Sequence, residues 1–367
     1  MPIPIALVGS GIFITTQHLP AVLTTPLLEF KAIYSRTLSS AQKLAESESL
    51  KGKKLDLYSE DAGDGKGYED LLKREDIKAV IIALPIPSQP SFIQSALAAN
   101  KHVLAEKPLT PTHTTGHTLL TSFLPSLPSS SRPTLSIAEN YRHTPILIHA
   151  ATAISKLGPI QRFKIEMSTY MPPSNRYVGT AWRKDPEFQG GFLLDGGIHF
   201  VAALRLLLAG GSWMGNPGEG DGIKKVAAFT RLISEHLAPL DTLDVIVELK
   251  SGATGTFGLS FGVKGKRRSE YVVVCEKGTV VVANDEVVVT NGEGEEVERT
   301  PVGYSSGVKE EVKTWAEGLE GGYSDAALSP YEALRDLEVL EAMLRSGERG
   351  GAVVELGDGN TLTQGVA

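Results

Sequence analysis

The sequence predicts an α/β chain: a doubly wound parallel sheet followed by an α+β domain with a large, mostly antiparallel open sheet. Three observations predict it. Over the first 140 residues apolar strand-like runs alternate with helical stretches, the order that a parallel sheet with crossover helices needs. Beyond that point strands follow one another directly, with turn signals at Ser251-Gly252 and Lys277-Gly278. The length of 367 residues exceeds what one ordinary core fills, so two domains, 1–140 and 141–367, accommodate the two patterns.

The first half opens with Ile3-Pro4-Ile5-Ala6-Leu7-Val8, an apolar run that stops at Gly9. A helix over 19–28 and a second strand, Phe30-Lys31-Ala32-Ile33-Tyr34, follow. Residues 41–48 read as helix, 52–67 as a polar, glycine-rich loop around a short strand at 55–58, and 68–74 as a short helix. Ala79-Val80-Ile81-Ile82-Ala83-Leu84 is apolar without interruption, as a strand covered on both faces should be. Then come a helix at 91–99, a strand at 102–105, a helix at 112–123, a Pro- and Ser-rich surface loop over 124–133, and the strand Thr134-Leu135-Ser136-Ile137-Ala138.

In the second half a helix at 145–157 leads to an alternating strand at 161–169, and an apolar helix spans 191–208. The glycine-rich stretch 210–222 reads as a surface loop. Strands are expected at 225–233, 244–249, 254–261, 271–276, 279–283 and 286–290, and closing helices at 308–319 and 331–346.

Composition narrows the function classes. The net charge of −7 leaves no basic face for nucleic acid, and the run Lys264-Gly265-Lys266-Arg267-Arg268 reads as a solvated hairpin turn. A single cysteine, Cys275, excludes an intrachain disulfide and any multi-cysteine metal site; its apolar neighbours make it a small buried hydrophobe. No run is long enough to span a membrane and no signal-peptide pattern opens the chain, so a cytoplasmic protein is the default. His113 and His117 are four apart with no third ligand nearby in sequence; they read as solvated polar residues, and no metal is expected.

Gly9-Ser10-Gly11-Ile12-Phe13-Ile14 lies between a strand and a helix, the context of a dinucleotide fingerprint in a Rossmann-type fold. Gly9 permits the tight turn, Gly11 lets the backbone approach a pyrophosphate, and the helix N-terminus behind Ile12 and Phe13 supplies N–H groups. Ile14 occupies the third glycine position. After the second strand stands Tyr34-Ser35-Arg36-Thr37, with no carboxylate to bond ribose hydroxyls. Arg36 and Ser35 would instead bind a 2′-phosphate, which favours NADP(H); the alternative is a turn with one solvated arginine.

Glu106-Lys107-Pro108 follows another parallel strand, and strand ends of this kind form the ligand crevice of open sheets. A lysine there can hold a substrate hydroxyl or carbonyl oxygen. Asp195 and His199 would share one face of a helix at i and i+4, where a carboxylate can set the tautomer of an imidazole proton donor. The alternative is a hydrogen-bonded pair holding a helix start. Tyr141, Tyr177 and Tyr304 either line a substrate pocket or pack structurally.

These pieces together resemble the glucose–fructose oxidoreductase / inositol dehydrogenase family, Gfo/Idh/MocA. The resemblance runs in order along nearly the whole chain: the glycine loop, Glu106-Lys107-Pro108, Glu139-Asn140-Tyr141-Arg142, Trp182-Arg183, Gly190-Gly191 with Asp195 and His199, and the helix from Pro330 to Asp336. Residues 9–20 and 180–197 look most similar to fungal NADP-dependent members. The resemblance implies hydride transfer between NADP(H) and a carbonyl or hydroxyl of a sugar, polyol or related small compound. Lys107 would touch the nicotinamide ribose and the reacting oxygen, His199 would exchange the proton, and Asp195 would orient it or bind substrate. Glu106 and Asn140 would lie beside the nicotinamide, Trp182 and Arg183 would cap it, and Leu84, Pro85 and Gln89 would complete the cofactor contacts. Tyr141 and Tyr177 would meet substrate. A homodimer or larger homo-oligomer would form through the second sheet. Departures are Gln89, where a histidine is common, Ile14, and Ala203, where an acid often stands. The competing class is a regulator of the same fold that senses dinucleotide without catalysis.

Overall fold

The computed structural model describes residues 1–128, 132–186, 188–210 and 222–357. Two compact units emerge: the first is Met1–Glu139 with Val308–Pro330, the second Asn140–Gly307 with Tyr331–Ala367.

The first unit is a six-stranded parallel sheet of β1 (Ile3–Val8), β2 (Leu28–Ser35), β3 (Asp56–Ser59), β4 (Ala79–Ile82), β5 (His102–Glu106) and β6 (Leu135–Ala138). The strands lie in the order β3-β2-β1-β4-β5-β6. The order reverses between β1 and β4, so ligand is expected at the carboxyl ends of those strands. Ile5, Leu7, Ile33, Ile81 and Leu104 are fully buried, as strands covered on both faces require.

Two features around the first unit's core differ from the sequence reading. The segment 308–330, expected in the second domain, returns to the first unit. Its helix Val308–Gly321 buries Val308, Val312, Trp315 and Ala316 in the same core as Ile5, Ile14 and Leu19. The expected helix over 19–28 is shorter, Leu19–Leu23, and is preceded by a π turn, Ile14–His18. The hydroxyls of Thr15 and Thr16 donate back to Gly11 O and Ile12 O at 3.0 and 2.8 Å, competing with the helix amides for those carbonyls. Such wide turns are rare and often sit at functional sites.

The second unit carries a nine-stranded sheet: β7 (Ile160–Ser168), β8 (Ile223–Arg231), β9 (Thr242–Leu249), β10 (Thr254–Ser260), β11 (Arg268–Cys275), β12 (Gly278–Ala283), β13 (Glu286–Asn291), β14 (Glu296–Pro301) and β15 (Val354–Glu355). Their order is β14-β13-β12-β11-β7-β10-β9-β8-β15, antiparallel except for the β7–β10 pair. Helices Pro145–Lys156 and Ile198–Leu208 pack on one face through β7, β12 and β13. Phe229 and Ile246 remain exposed on the other. The edge strands β14 and β15 escaped the sequence reading: β14 is exposed along most of its length and half of its residues are charged, so it shows no apolar alternation. Most of the loop read at 210–222, and three residues of the loop read at 124–133, lie outside the described residues. Among the described residues no helix is long and apolar enough to cross a membrane.

Candidate active site

In the first unit the predicted cofactor residues gather at the carboxyl ends of β1, β2, β4 and β5. Gly9 follows β1 with φ +117°, and a Cβ there would lie 2.4 Å from Ala83 O, so only glycine fits. Its N–H donates to Tyr34 O at 2.8 Å, and Ala83 N–H donates to Val8 O at 2.9 Å, which ties the loop to both neighbouring strands. A Cβ on Gly11 would meet nothing within 4 Å, leaving open space where backbone amides can receive an anion. Ile12 and Phe13 flank that space half-buried, as do Leu84 and Pro85 beyond β4.

The second-strand terminus is more elaborate than its sequence suggested. Ser35 is buried, and its hydroxyl is 2.7 Å from that of Ser10, so it braces the glycine loop. Arg36 is exposed. No acid follows β2 in sequence, but β3 delivers two. Tyr34 donates to Glu60 Oε1 at 2.7 Å; burial and this carboxylate push the phenol pKa well up. Asp61 Oδ1 accepts from Ser59 Oγ at 2.7 Å and from Leu38 N–H at 2.6 Å, bonds that hold its carboxyl below the usual range. Nothing in the local sequence announces that contact, which spans 23 positions.

Lys107 is half-buried, immediately after β5. Gln89, assigned to the cofactor, is 1% exposed, and its amide nitrogen donates to both Glu106 O and Pro108 O. Those carbonyls flank Lys107, so Gln89 clamps the backbone that presents the lysine. His18 and Glu311 were not singled out from sequence. His18 Nε2 lies 2.6 Å from Glu106 Oε1, and the donor atoms of His18, Glu106 and Glu311 all fall within 4.8 Å of one another. Among the described residues these three are the one group with metal-ligand chemistry. The His18–Glu106 separation is that of a strong hydrogen bond.

In the second unit the expected continuous helix over 191–208 is two helices, Phe192–Asp195 and Ile198–Leu208. They meet at Gly196-Gly197, where a Cβ on Gly197 would lie 2.2 Å from Leu193 O. Asp195 thus ends one helix and His199 begins the next. Asp195 is 5% exposed, and its Oδ2 accepts from Arg183 Nε at 2.5 Å. Arg183, expected at the cofactor, is therefore committed to Asp195; its guanidinium also covers the Trp182 ring at 3.9 Å and lies 5.5 Å from the Tyr177 ring. His199 stacks on Tyr141, with centroids 4.8 Å apart and planes 16° from parallel. Asn140 is buried and its amide donates to Ser306 O. Tyr304 is 87% exposed, unlike Tyr141 and Tyr177.

The family described as "Oxidoreductase family, NAD-binding Rossmann fold" (Gfo/Idh/MocA) matches residues 3–123, and its C-terminal alpha/beta domain matches residues 152–356. The chain belongs to this family. Within it, the chain is 36% identical to the dehydrogenase FPY6 of Fusarium mangiferae over 95% of this chain and 97% of that one. A D-xylose 1-dehydrogenase (NADP(+)) of Haloferax volcanii is 26% identical over 78% of this chain and 83% of that one. An oxidoreductase of Thermotoga maritima superposes with a TM-score of 0.82 at 29% identity, covering 99% of this chain and 100% of that one. This Gfo/Idh/MocA chain is thus an oxidoreductase with a dinucleotide-binding domain, and the cradle at Gly9 and Gly11 fits that cofactor.

Proposed function

We propose that the protein is an NADP(H)-dependent dehydrogenase or reductase acting on a CH–OH or C=O group of a sugar, polyol or related small carbonyl compound. The observation that carries the reading is the Lys107 strand end, clamped by Gln89 beside a glycine cradle that leaves room for a pyrophosphate. Relatives support it: one is named a dehydrogenase and another an NADP(+)-dependent xylose dehydrogenase.

The bound dinucleotide would give or take the hydride. Gly9, Gly11, Ile12 and Phe13 would hold its pyrophosphate, and Ser35 and Arg36 its adenosine ribose end. Lys107 would donate a hydrogen bond to the reacting oxygen, drawing electron density from the carbonyl carbon during reduction. His199 would deliver a proton to that oxygen in reduction and remove it in oxidation. Arg183 would fix Asp195, and Tyr141 would fix the imidazole plane by stacking.

The test is a screen of sugars, polyols, aldehydes and ketones, followed by nicotinamide absorbance in both directions. Lys107→Ala and His199→Ala should each lose turnover by about a hundredfold or more while still binding cofactor. Near-normal turnover in both variants would sink the catalytic assignment. Dinucleotide binding with no turnover of any compound by the native protein would favour the regulator reading.

We also propose a cytoplasmic homo-oligomer built on the open face of the second sheet, supported by Phe229 and Ile246, 65% and 61% exposed on adjacent strands. The native mass by light scattering should be a multiple of 39.2 kDa, and Phe229→Glu should lower it. A monomeric native protein would overturn the assembly.

A further inference from the structure

The first unit buries a set of ionisable side chains that hydride transfer does not itself require. His18 and Glu311 are fully buried, and Glu106 is 8% exposed. They come from three separate places: the π turn after the glycine loop, the last residue of β5, and the first turn of helix Val308–Gly321. Burying such groups costs several kcal/mol each unless they are paired, and apolar residues would pack the same volume at no such cost. The arrangement therefore calls for a return in function.

Its geometry indicates which. One carboxylate oxygen of Glu106 faces His18 Nε2 at 2.6 Å, while the side chain keeps 11% exposure. That residual exposure is the surface through which a ligand can meet the carboxylate. An imidazole N–H facing a carboxylate donates to it, and this charge-assisted bond fixes the carboxylate plane. Gln89 independently fixes the backbone of the same stretch through Glu106 O and Pro108 O. Two buried side chains thus converge on residues 106–108, one gripping the side chain and one the main chain. Phe13, in the glycine loop, packs edge-on against the His18 ring at 5.4 Å, so the imidazole also bridges from the loop to β5.

We propose that His18 is a positioning residue: it holds the Glu106 carboxylate in the orientation that aligns the nicotinamide ring next to Lys107. This rests on the reading of Glu106 and Lys107 as groups at the nicotinamide end. Most binding energy for the dinucleotide would come from the pyrophosphate and adenosine, so His18 should govern ring alignment more than affinity.

The experiment compares His18→Leu, which cannot donate, with His18→Gln, whose amide nitrogen can replace Nε2. Cofactor Kd, kcat and KM are measured, together with the fluorescence anisotropy of the bound reduced nicotinamide. His18→Leu should lose kcat by about tenfold or more while cofactor Kd changes by less than about threefold, and the anisotropy should fall. His18→Gln should recover most of both. In the background of Glu106→Ala, His18→Leu should add little further loss, because it acts through that carboxylate. His18→Asn, too short to reach Glu106, replaces the leucine variant if that one does not fold. Wild-type kcat and anisotropy in His18→Leu, equal impairment of His18→Gln, or multiplicative losses in the double variant would each overturn the proposal. If the native protein binds dinucleotide but turns over no compound, the enzymatic reading fails while the anisotropy comparison still decides on His18.

Discussion

Each unit buries a cluster of charge, and the two clusters are built on opposite plans. In the second unit Arg205 donates to Glu332 Oε2 and Asp336 Oδ1, both at 2.7 Å, and Arg142 donates to the other oxygen of Asp336. Two guanidiniums meet two carboxylates, and all four residues are at most 4% exposed. The group joins the turn Asn140–His143, helix Ile198–Leu208 and helix Pro330–Glu348. In the first unit one imidazole stands among two carboxylates, at the strand end that carries Lys107. The balanced set secures architecture. The unbalanced set keeps one of its carboxylates partly exposed.

Breaking the balanced set should have the largest effect, and on stability. Asp336→Ala would leave two buried guanidiniums facing the gap, a loss of roughly 3–5 kcal/mol when one partner of a buried pair is removed. For a unit of this size the midpoint should fall by roughly 6–20 °C, read by calorimetry. A shift of a degree or two would mean the network is dispensable. His18→Leu also removes a buried partner and should lower the midpoint, but it should lose kcat far beyond what that lost stability explains at the assay temperature. Variants at the two sites that lost stability and turnover in the same proportion would erase the contrast between the clusters.

What the sequence made legible follows the range of the interactions. The strand and helix order of the first 140 residues, the glycine cradle and the strand-end position of Lys107 depend on local pattern, and each could be read from a few consecutive residues. The break at Gly196-Gly197 was hidden because an apolar stretch reads as one helix; only the approach of Leu193 O makes Gly197 necessary. Helix Val308–Gly321 carries a clear apolar stripe, but nothing in it says which core will bury Trp315. His18 had a usable signal, an imidazole four residues beyond the buried Ile14, on the helical segment that follows the glycine loop. Glu311 and Asp61 had none, since their significance arises from residues far away in the chain.

Asp61 gives the smallest predicted effect and the sharpest test of cofactor choice. Under the proposed NADP(H) dependence Ser35 and Arg36 would hold a 2′-phosphate, whereas the Asp61 carboxylate, bonded to Leu38 N–H two residues beyond Arg36, would repel one. The Ser59 hydroxyl and the Leu38 amide hold the Asp61 pKa below the usual carboxylate range, so the charge is present throughout the neutral region and is lost only as pH falls through that depressed value. Asp61→Asn keeps an acceptor for Leu38 N–H and removes the charge. A like charge near an exposed phosphate weakens its binding, so with Asp61→Asn NADP(H) should bind about three- to tenfold more tightly while NAD(H) is unchanged. The gain should shrink at high salt, because exposed charges are screened. Titration of both dinucleotides by protein fluorescence measures it. Equal changes for the two cofactors would show that Asp61 shapes the turn without sensing the phosphate, and tighter NAD binding by the native protein would overturn the NADP assignment.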